Sequence, residues 1–332
     1  MKPLTRRDVV QTGTLGLLAS LGLTAAAAAQ VGNPAVAAPG LPGVVSLSEV
    51  GAVGDGETDD TAALERAFKR VASAPAGGVV YAPPGTYKTR GAHVLRPHMQ
   101  LLGAGVGSTV FRHTGAGSCF MLTGPGITEQ RIGIAGCSIQ GNGGKQAAGV
   151  EFRDISFGAW AQLVRVRDYR AGIGFLLNNF AEGQYNEGVM LLGCSSSNNA
   201  TGVAFRRVNG TNSFKAFYTE QFGCNVPAFG TGFDFAVGGS KEIIVYNCHI
   251  HGHIWFNRHQ RNIGWDVGAK AILRDGQAWM SGEGSSPTSL SIRNRRGGSV
   301  TLFGQWWFNQ IPHHADLRRT KIGPLPDATL GL

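Results

Sequence analysis

Apolar and polar residues alternate along most of this chain, in short runs broken by Gly, Asn or Asp. The runs "RIGIAGCSI" (131–139), "LVRVRDYRA" (163–171), "GVMLLGCSS" (188–196), "SFKAFYTEQ" (213–221) and "EIIVYNCHI" (242–250) share one plan. Each places apolar residues two apart, turns at a Gly, Asp, Tyr or Asn corner, and resumes. A period of two is the signature of strand. A second strand-like unit follows each run: "GVEFR" at 149, "GIGFL" at 172, "GVAFR" at 202, "GFDFA" at 232 and, more loosely, "GHIWF" at 252. Recurrence at spacings of 25 to 32 residues predicts a solenoid whose coils stack through parallel sheets.

Alternation also assigns faces. Ile132, Ile134, Cys137 and Ile139 are expected inside, as are Val189, Leu191 and Cys194, and Val245, Cys248 and Ile250. The corner residue resets the parity, which Gly and Asn tolerate best. Cys137, Cys194 and Cys248 then form one interior column of small apolar residues, not disulfides or metal ligands. The pattern assigns no role to Cys119 or Cys224.

One stretch departs from the period of two. "DDTAALERAFKRV" sets Leu64, Ala67, Phe68 and Val71 on a single helical stripe, which predicts a helix over about residues 60–72 that closes the open end of the solenoid. Asp59 and Asp60 stand at its N-cap, where a carboxylate accepting the first free N–H groups contributes about 1 kcal/mol. The pair is thus expected to be structural.

Around this helix the sequence resembles a known family. "GAVGDGETDDTA" (51–62) and "PPGTY" (83–87) resemble the N-terminal signature of the pectate-lyase-like superfamily, and "LLGAGVGSTVFRHTG" its next coil. The resemblance covers about Val44 to Thr114. It implies an all-β fold, a single right-handed parallel β-helix with an N-terminal capping helix. The superfamily includes lyases, glycosidases, epimerases and phage-type tail proteins, so the resemblance bears on fold more than on chemistry. The polygalacturonase branch carries N-T-D, D-D, G-H-G and R-I-K motifs. Here no Asp-Asp follows Asp60, no N-T-D occurs, and only "HGH" (251–253) and "RRTK" (318–321) remain as fragments.

Composition agrees with strands and tight turns: 50 glycines and only 15% charged residues in 332. The formal net charge of +9 falls to +7 without Lys2, Arg6, Arg7 and Asp8, and still favours anionic partners. Residues 1–29 read as an export signal with a twin-arginine character at Arg6-Arg7, an apolar run and a small-residue end. A flexible leader (30–43), the β-helix (44–310) and a tail (311–332) complete the expected organisation. A periplasmic or secreted location leaves an acidic polysaccharide as the expected partner, not nucleic acid or a stable membrane insertion.

Stacked coils bring equivalent positions into columns about 4.8 Å apart. Aligning the runs on their first apolar residue gives three outward columns. They are Ser138, Arg170, Ser195, Glu220 and His249; Ala135, Arg167, Leu192, Phe217 and Tyr246; and Gly133, Arg165, Met190, Lys215 and Ile244. Arg165, Arg167, Arg170 and Lys215 would meet carboxylates of a uronate chain, and Phe217 and Tyr246 its sugar rings. The corresponding reaction is β-elimination, with His249, oriented by Glu220, as the base. Arginine or lysine, or a bound Ca²⁺ needing several oxygen ligands for which only Glu220, Asp168 and distant acids offer charge, would neutralise the uronate carboxylate. His249, His251 and His253 also repeat at a spacing that can ligate zinc or copper. The alternative is a non-catalytic solenoid that binds glycans or sits in the cell envelope.

Overall fold

A computed structural model describes residues 43–234, except 127–129, 212 and 227–230, and beyond 234 the backbone of the strands that run on to residue 322. Contacts divide the chain into Met1–Gly40 and Leu41–Leu332, and everything described belongs to the second unit. The expected signal segment, nearly all of the leader, and Cys248 lie outside the described residues. No helix among the described residues is long and apolar enough to cross a membrane.

Among the described residues the strands form three sheets, of fourteen, eight and six strands, and neighbouring strands pair in parallel. This is the expected β-solenoid. The largest sheet takes its middle rungs from Ile132–Gln140, Ala159–Arg167, Val189–Leu192 with Ser195–Ser197, Tyr218–Val226 and His249–Phe256. Each of the first four bends at a residue with positive φ: Gly136 (63°), Leu163 (51°), Gly193 (59°) and Gln221 (50°). That one-residue corner resets the parity, at the expected glycine in the first and third rungs and at Leu163 and Gln221, not the expected Asp168 and Tyr218, in the second and fourth. Ile132 and Ile134 point inward before it and Cys137 and Ile139 after it, and all four are fully buried. Val189, Leu191 and Cys194 repeat the arrangement, with Val164 holding the rung between the two cysteines.

The eight-stranded sheet includes Phe120–Gly124, Ala148–Ile155, Ile173–Asn179, Thr201–Arg207, Thr231–Asp234 and Ile263–Val267. Its inward positions are mostly aromatic. Phe120, Phe152, Phe175, Phe205 and Phe233 are fully buried, and Phe175 and Phe233 meet Phe222 of the opposite sheet edge to face. Each buried Phe contributes roughly 1.5–3 kcal/mol, so this interior stack outweighs strand propensity in fixing the register. A row of glycines lets the coils close. A Cβ on Gly149, Gly174 or Gly202 would lie 3.1, 2.7 or 2.6 Å from the carbonyl oxygen of Gly174, Gly202 or Gly232 on the next coil.

The helix spans Thr61–Ala72 and buries Ala63, Leu64, Ala67, Phe68 and Val71, the expected stripe. Phe68 stacks on His93 with ring centroids 5.8 Å apart and also meets Phe120, so the helix plugs the interior column. The two aspartates are structural, but they divide the work differently from the expectation. Asp59 accepts from the N–H and hydroxyl of Thr61 and pairs with Arg90 at 2.7 Å. Asp60 is buried and caps no helix N–H group. Its carboxylate accepts from the N–H groups of Val53 and Gly54, tying down the glycine-rich loop.

From Asn186–Glu187 onward each coil adds a rung to a third sheet: Ser213–Lys215, Glu242–Tyr246, Lys270–Arg274, Ser299–Leu302 and Thr320–Ile322. Parallel pairing thus continues into the stretch that reads as a tail.

Candidate functional site

The expected columns are not the columns of the fold. Ser138, Arg165, Ser195, Gly223 and His253 share one register position, and Gln140, Arg167, Ser197, Asn225 and Trp255 another. Arg170 lies in the turn after Arg167. Lys215 sits on the six-stranded sheet between Glu187 and Tyr246, with its Nζ 3.7 Å from Glu187 and 4.6 Å from the Tyr185 ring centroid. Phe217 is buried against Phe205 and cannot meet a sugar. Glu220 aligns with Leu192 and His249 with Tyr218, so these two candidates occupy adjacent rungs of the largest sheet. Tyr218 is directly opposite His249 in register and two residues before Glu220 on the same strand, and its hydroxyl is 3.1 Å from Glu220 Oε2.

The misalignment has a physical cause. The rung expected to begin at Leu163 begins four residues earlier, at Ala159, and Leu163 is its corner. Phe214 and Ile243 belong to the third sheet, which the alternating pattern does not distinguish from the first. Asp168 accepts from Gln140 and Asn198 and lies 4.0 Å from Arg167 Nε, in a different column from Glu220, so the two do not form one calcium site. Among the described residues, no three His, Cys, Asp or Glu side chains converge as a metal site.

What the fold does gather lies on the outward face of the eight-stranded sheet. One register column runs Glu151, Leu176, Ala204, Asp234, Asp266, and the other Arg153, Asn178, Arg206. Glu151 is nearly fully buried. Its carboxylate accepts from Ser118 Oγ at 2.6 Å, Arg153 Nε at 2.7 Å and Asn178 Nδ2 at 2.9 Å. Arg206 holds Asp234 at 2.5 Å. In both pairs the guanidinium is the more exposed partner, at 28% against 4% and 27% against 8%, so cations stand over the anions that orient them. Arg153 is held from the other side by the Phe180 ring, 4.4 Å away. Asn178 Oδ1 is buried with no hydrogen-bond partner, which costs roughly 1–3 kcal/mol unless one is supplied. A row of fixed guanidiniums two rungs apart, about 9.6 Å, is suited to hold carboxylates spaced along a polymer.

Sequence reasoning missed this row although its signal is visible. In "GVEFR", "GVAFR" and "GFDFA" the third letter varies as E, A, D while its neighbours stay apolar, the mark of an outward position on a buried frame, and Leu176, the last letter of "GIGFL", fills the same column between them. "GWD" at 264–266 continues it, and the fold sets Asp234 and Asp266 on adjacent rungs.

Residues 44–146 match the family model described as "Rhamnogalacturonase A/epimerase, pectate lyase-like". Mannuronan C5-epimerase AlgE6 of Azotobacter vinelandii is 34% identical over 109 residues, 29% of this chain and 12% of that protein. Alginate lyase 7 of the same organism is 36% identical over 74 residues, 20% of this chain and 8% of the relative. The chain therefore spans only a small part of the length of these relatives. Among solved structures, the Streptococcus pneumoniae surface protein and adhesin PfbA aligns with a TM-score of 0.53 at 14% identity, covering 84% of this chain and 88% of that one. With the matched coils at one end and the same parallel stacking carried through the coils that follow, residues 44–146 are similar to the pectate lyase-like family, and the described strands form a parallel β-solenoid.

Proposed function

We propose that this protein acts on an acidic, uronate-containing polysaccharide and that the outward face of the eight-stranded sheet is its groove. The observation that carries the reading is the row of Arg153 and Arg206, each fixed by a buried carboxylate on the same face. A uronate carboxylate withdraws electrons from its α-carbon only weakly while it bears a full charge. A guanidinium against it stabilises the dianion-like enolate that forms when the α-proton leaves. Lyase and C5-epimerase share this first step. They differ in whether the intermediate expels the 4-oxygen or is reprotonated from the opposite face. The likeness to proteins named mannuronan C5-epimerase and alginate lyase supports that class. Asp266, next in register to the already paired Asp234, is the base we assign. Hydrolysis by Glu151 and Asp234 is a poor alternative. The two are three rungs apart, about 14 Å, whereas paired glycosidase carboxylates stand roughly 5–9.5 Å apart. The export signal read at residues 1–29 fits a periplasmic or secreted site of action.

The test is incubation with alginate, pectate and hyaluronan in deuterated water. Deuterium gained at the carbon next to the carboxylate reports proton removal, and near-ultraviolet absorbance reports unsaturated ends. Arg206→Ala and Asp266→Asn are expected to abolish both signals, while His249→Ala and Glu220→Gln retain them. The reverse result would return the chemistry to Glu220 and His249 on the largest sheet. Binding with neither signal on any polymer would make the protein a non-catalytic glycan-binding module, a reading favoured by its resemblance in fold to a surface adhesin.

A further inference from the structure

The largest sheet carries an outward column that the acidic-polymer reading does not use. Gln100, Gly133, Trp160, Met190, Tyr218 and His249 share its register position, flanked by Leu102, Ala135, Gln162, Leu192 and Glu220. Ala159 and Ala161 are buried on either side of Trp160, so its ring is directed outward, and it is partly exposed. The ring is seated. A Cβ on Gly133 would lie 2.2 to 2.5 Å from Cε2, Cζ2 and Nε1 of the indole, so the ring covers a position that only glycine leaves open. Two rungs further, Tyr218 is 37% exposed. Met190 lies between the two rings, partly exposed.

From this geometry we infer a second glycan site, a stacking platform on which Trp160 and Tyr218 hold two sugar rings of a neutral polysaccharide running along the solenoid axis. Aromatic faces pack against the C–H faces of pyranoses. The separation of about 9.6 Å is that of two rings in an extended chain with one unit between them. The charge of the face selects the class of ligand. From Gln100 to Tyr218 and from Leu102 to Leu192 the two columns hold no cation for a uronate, and Glu220 would repel one. Gln162 and Gln100 offer amides to hydroxyl groups instead. The platform goes beyond the proposed acidic groove and stands on a different sheet.

The test is affinity electrophoresis and calorimetry of the full chain with cellohexaose, mannohexaose and xylohexaose, against alginate as the acidic probe. At least one neutral oligosaccharide is expected to bind. Trp160→Ala and Tyr218→Ala should each weaken that binding about tenfold or more, with an unchanged circular dichroism spectrum. Trp160→Phe should restore part of it. Gly133→Ala, which displaces the indole without removing it, should weaken binding as well. Arg153→Ala and Arg206→Ala should leave neutral binding intact, and Trp160→Ala should leave alginate binding intact, so the two faces fail independently. Binding of no neutral oligosaccharide, or binding indifferent to Trp160→Ala, would overturn the platform. So would a concentration-dependent self-association abolished by Trp160→Ala, which would make the face an interface between copies.

Discussion

Replacing Glu151 by Gln tests whether the polar row is a charge-built device or only a filled space. Three donors converge on the carboxylate, Ser118 on Oε2 and Arg153 with Asn178 on Oε1. A glutamine can keep its oxygen towards Arg153 and Asn178 and turn its NH₂ to Ser118, whose hydroxyl can rotate to accept. Geometry is then preserved and charge is lost. A hydrogen bond to an ionised group is worth roughly 1.5–3 kcal/mol and a neutral one roughly 0.5–1.5. Two bonds weakened by about 1 kcal/mol each give a loss of about 2 kcal/mol. Glu151→Leu removes both acceptor oxygens and leaves Ser118, Asn178 and the Arg153 guanidinium without this partner, so a loss of about 4–5 kcal/mol is expected. Urea unfolding gives both values, and amide exchange in Ile173–Asn179 localises them, because stability in a stacked array is largely a nearest-neighbour property. Equal losses for Gln and Leu would refute the charge argument. Losses under about 0.5 kcal/mol for both, the range of ordinary surface substitutions, would remove the row from the stability of the fold altogether.

Three further outcomes are expected. His93 is buried beneath Phe68 and against Thr89, and desolvation, then His113, pulls its pKa down to about 4. The unfolded chain therefore binds the extra proton first. Stability held above pH 6.5 should fall by about 3 kcal/mol as pH drops towards 4, a slope that His93→Gln should flatten in Tm measurements. Burial pushes the thiols of Cys119, Cys137, Cys194 and Cys224 up, so a thiol reagent should label none of them in the native protein and all of them in urea. Labelling of any of the four without unfolding would contradict the packed interior. Gly202→Ala, whose Cβ would meet Gly232 O at 2.6 Å and Cys224 Sγ at 2.7 Å, should cost about 1–3 kcal/mol, whereas Gly117→Ala, with open space around it, should be near neutral by urea unfolding.

The fold is legible in the sequence wherever one residue's neighbours decide its side. The helix stripe of Leu64, Ala67, Phe68 and Val71, and the inward sets around Cys137 and Cys194, follow from local period alone. Vertical register is a different quantity. It depends on where each coil begins, and a tryptophan facing outward at 160 hides the start of its rung, while the six-stranded sheet supplies a second set of alternating runs. So Phe217 reads as exposed and is core. Glu151 is passed over because a single carboxylate inside "GVEFR" acquires meaning only beside Ser118, Arg153 and Asn178, which three different coils provide. Asp60 shows the same limit on a shorter scale: its placement before a helix is evident, its bonds to Val53 and Gly54 are not.

The glycine row from Gly149 to Gly202 constrains how a protein like this can change length. With each bare α-carbon nested against the carbonyl one storey above, a lone inserted or deleted residue there would throw every later storey out of step. Growth or shortening is tolerable only in whole storeys or out in the turns. Related chains should accordingly differ in size by multiples of one coil, with irregular additions confined to the loops that border the two candidate carbohydrate faces.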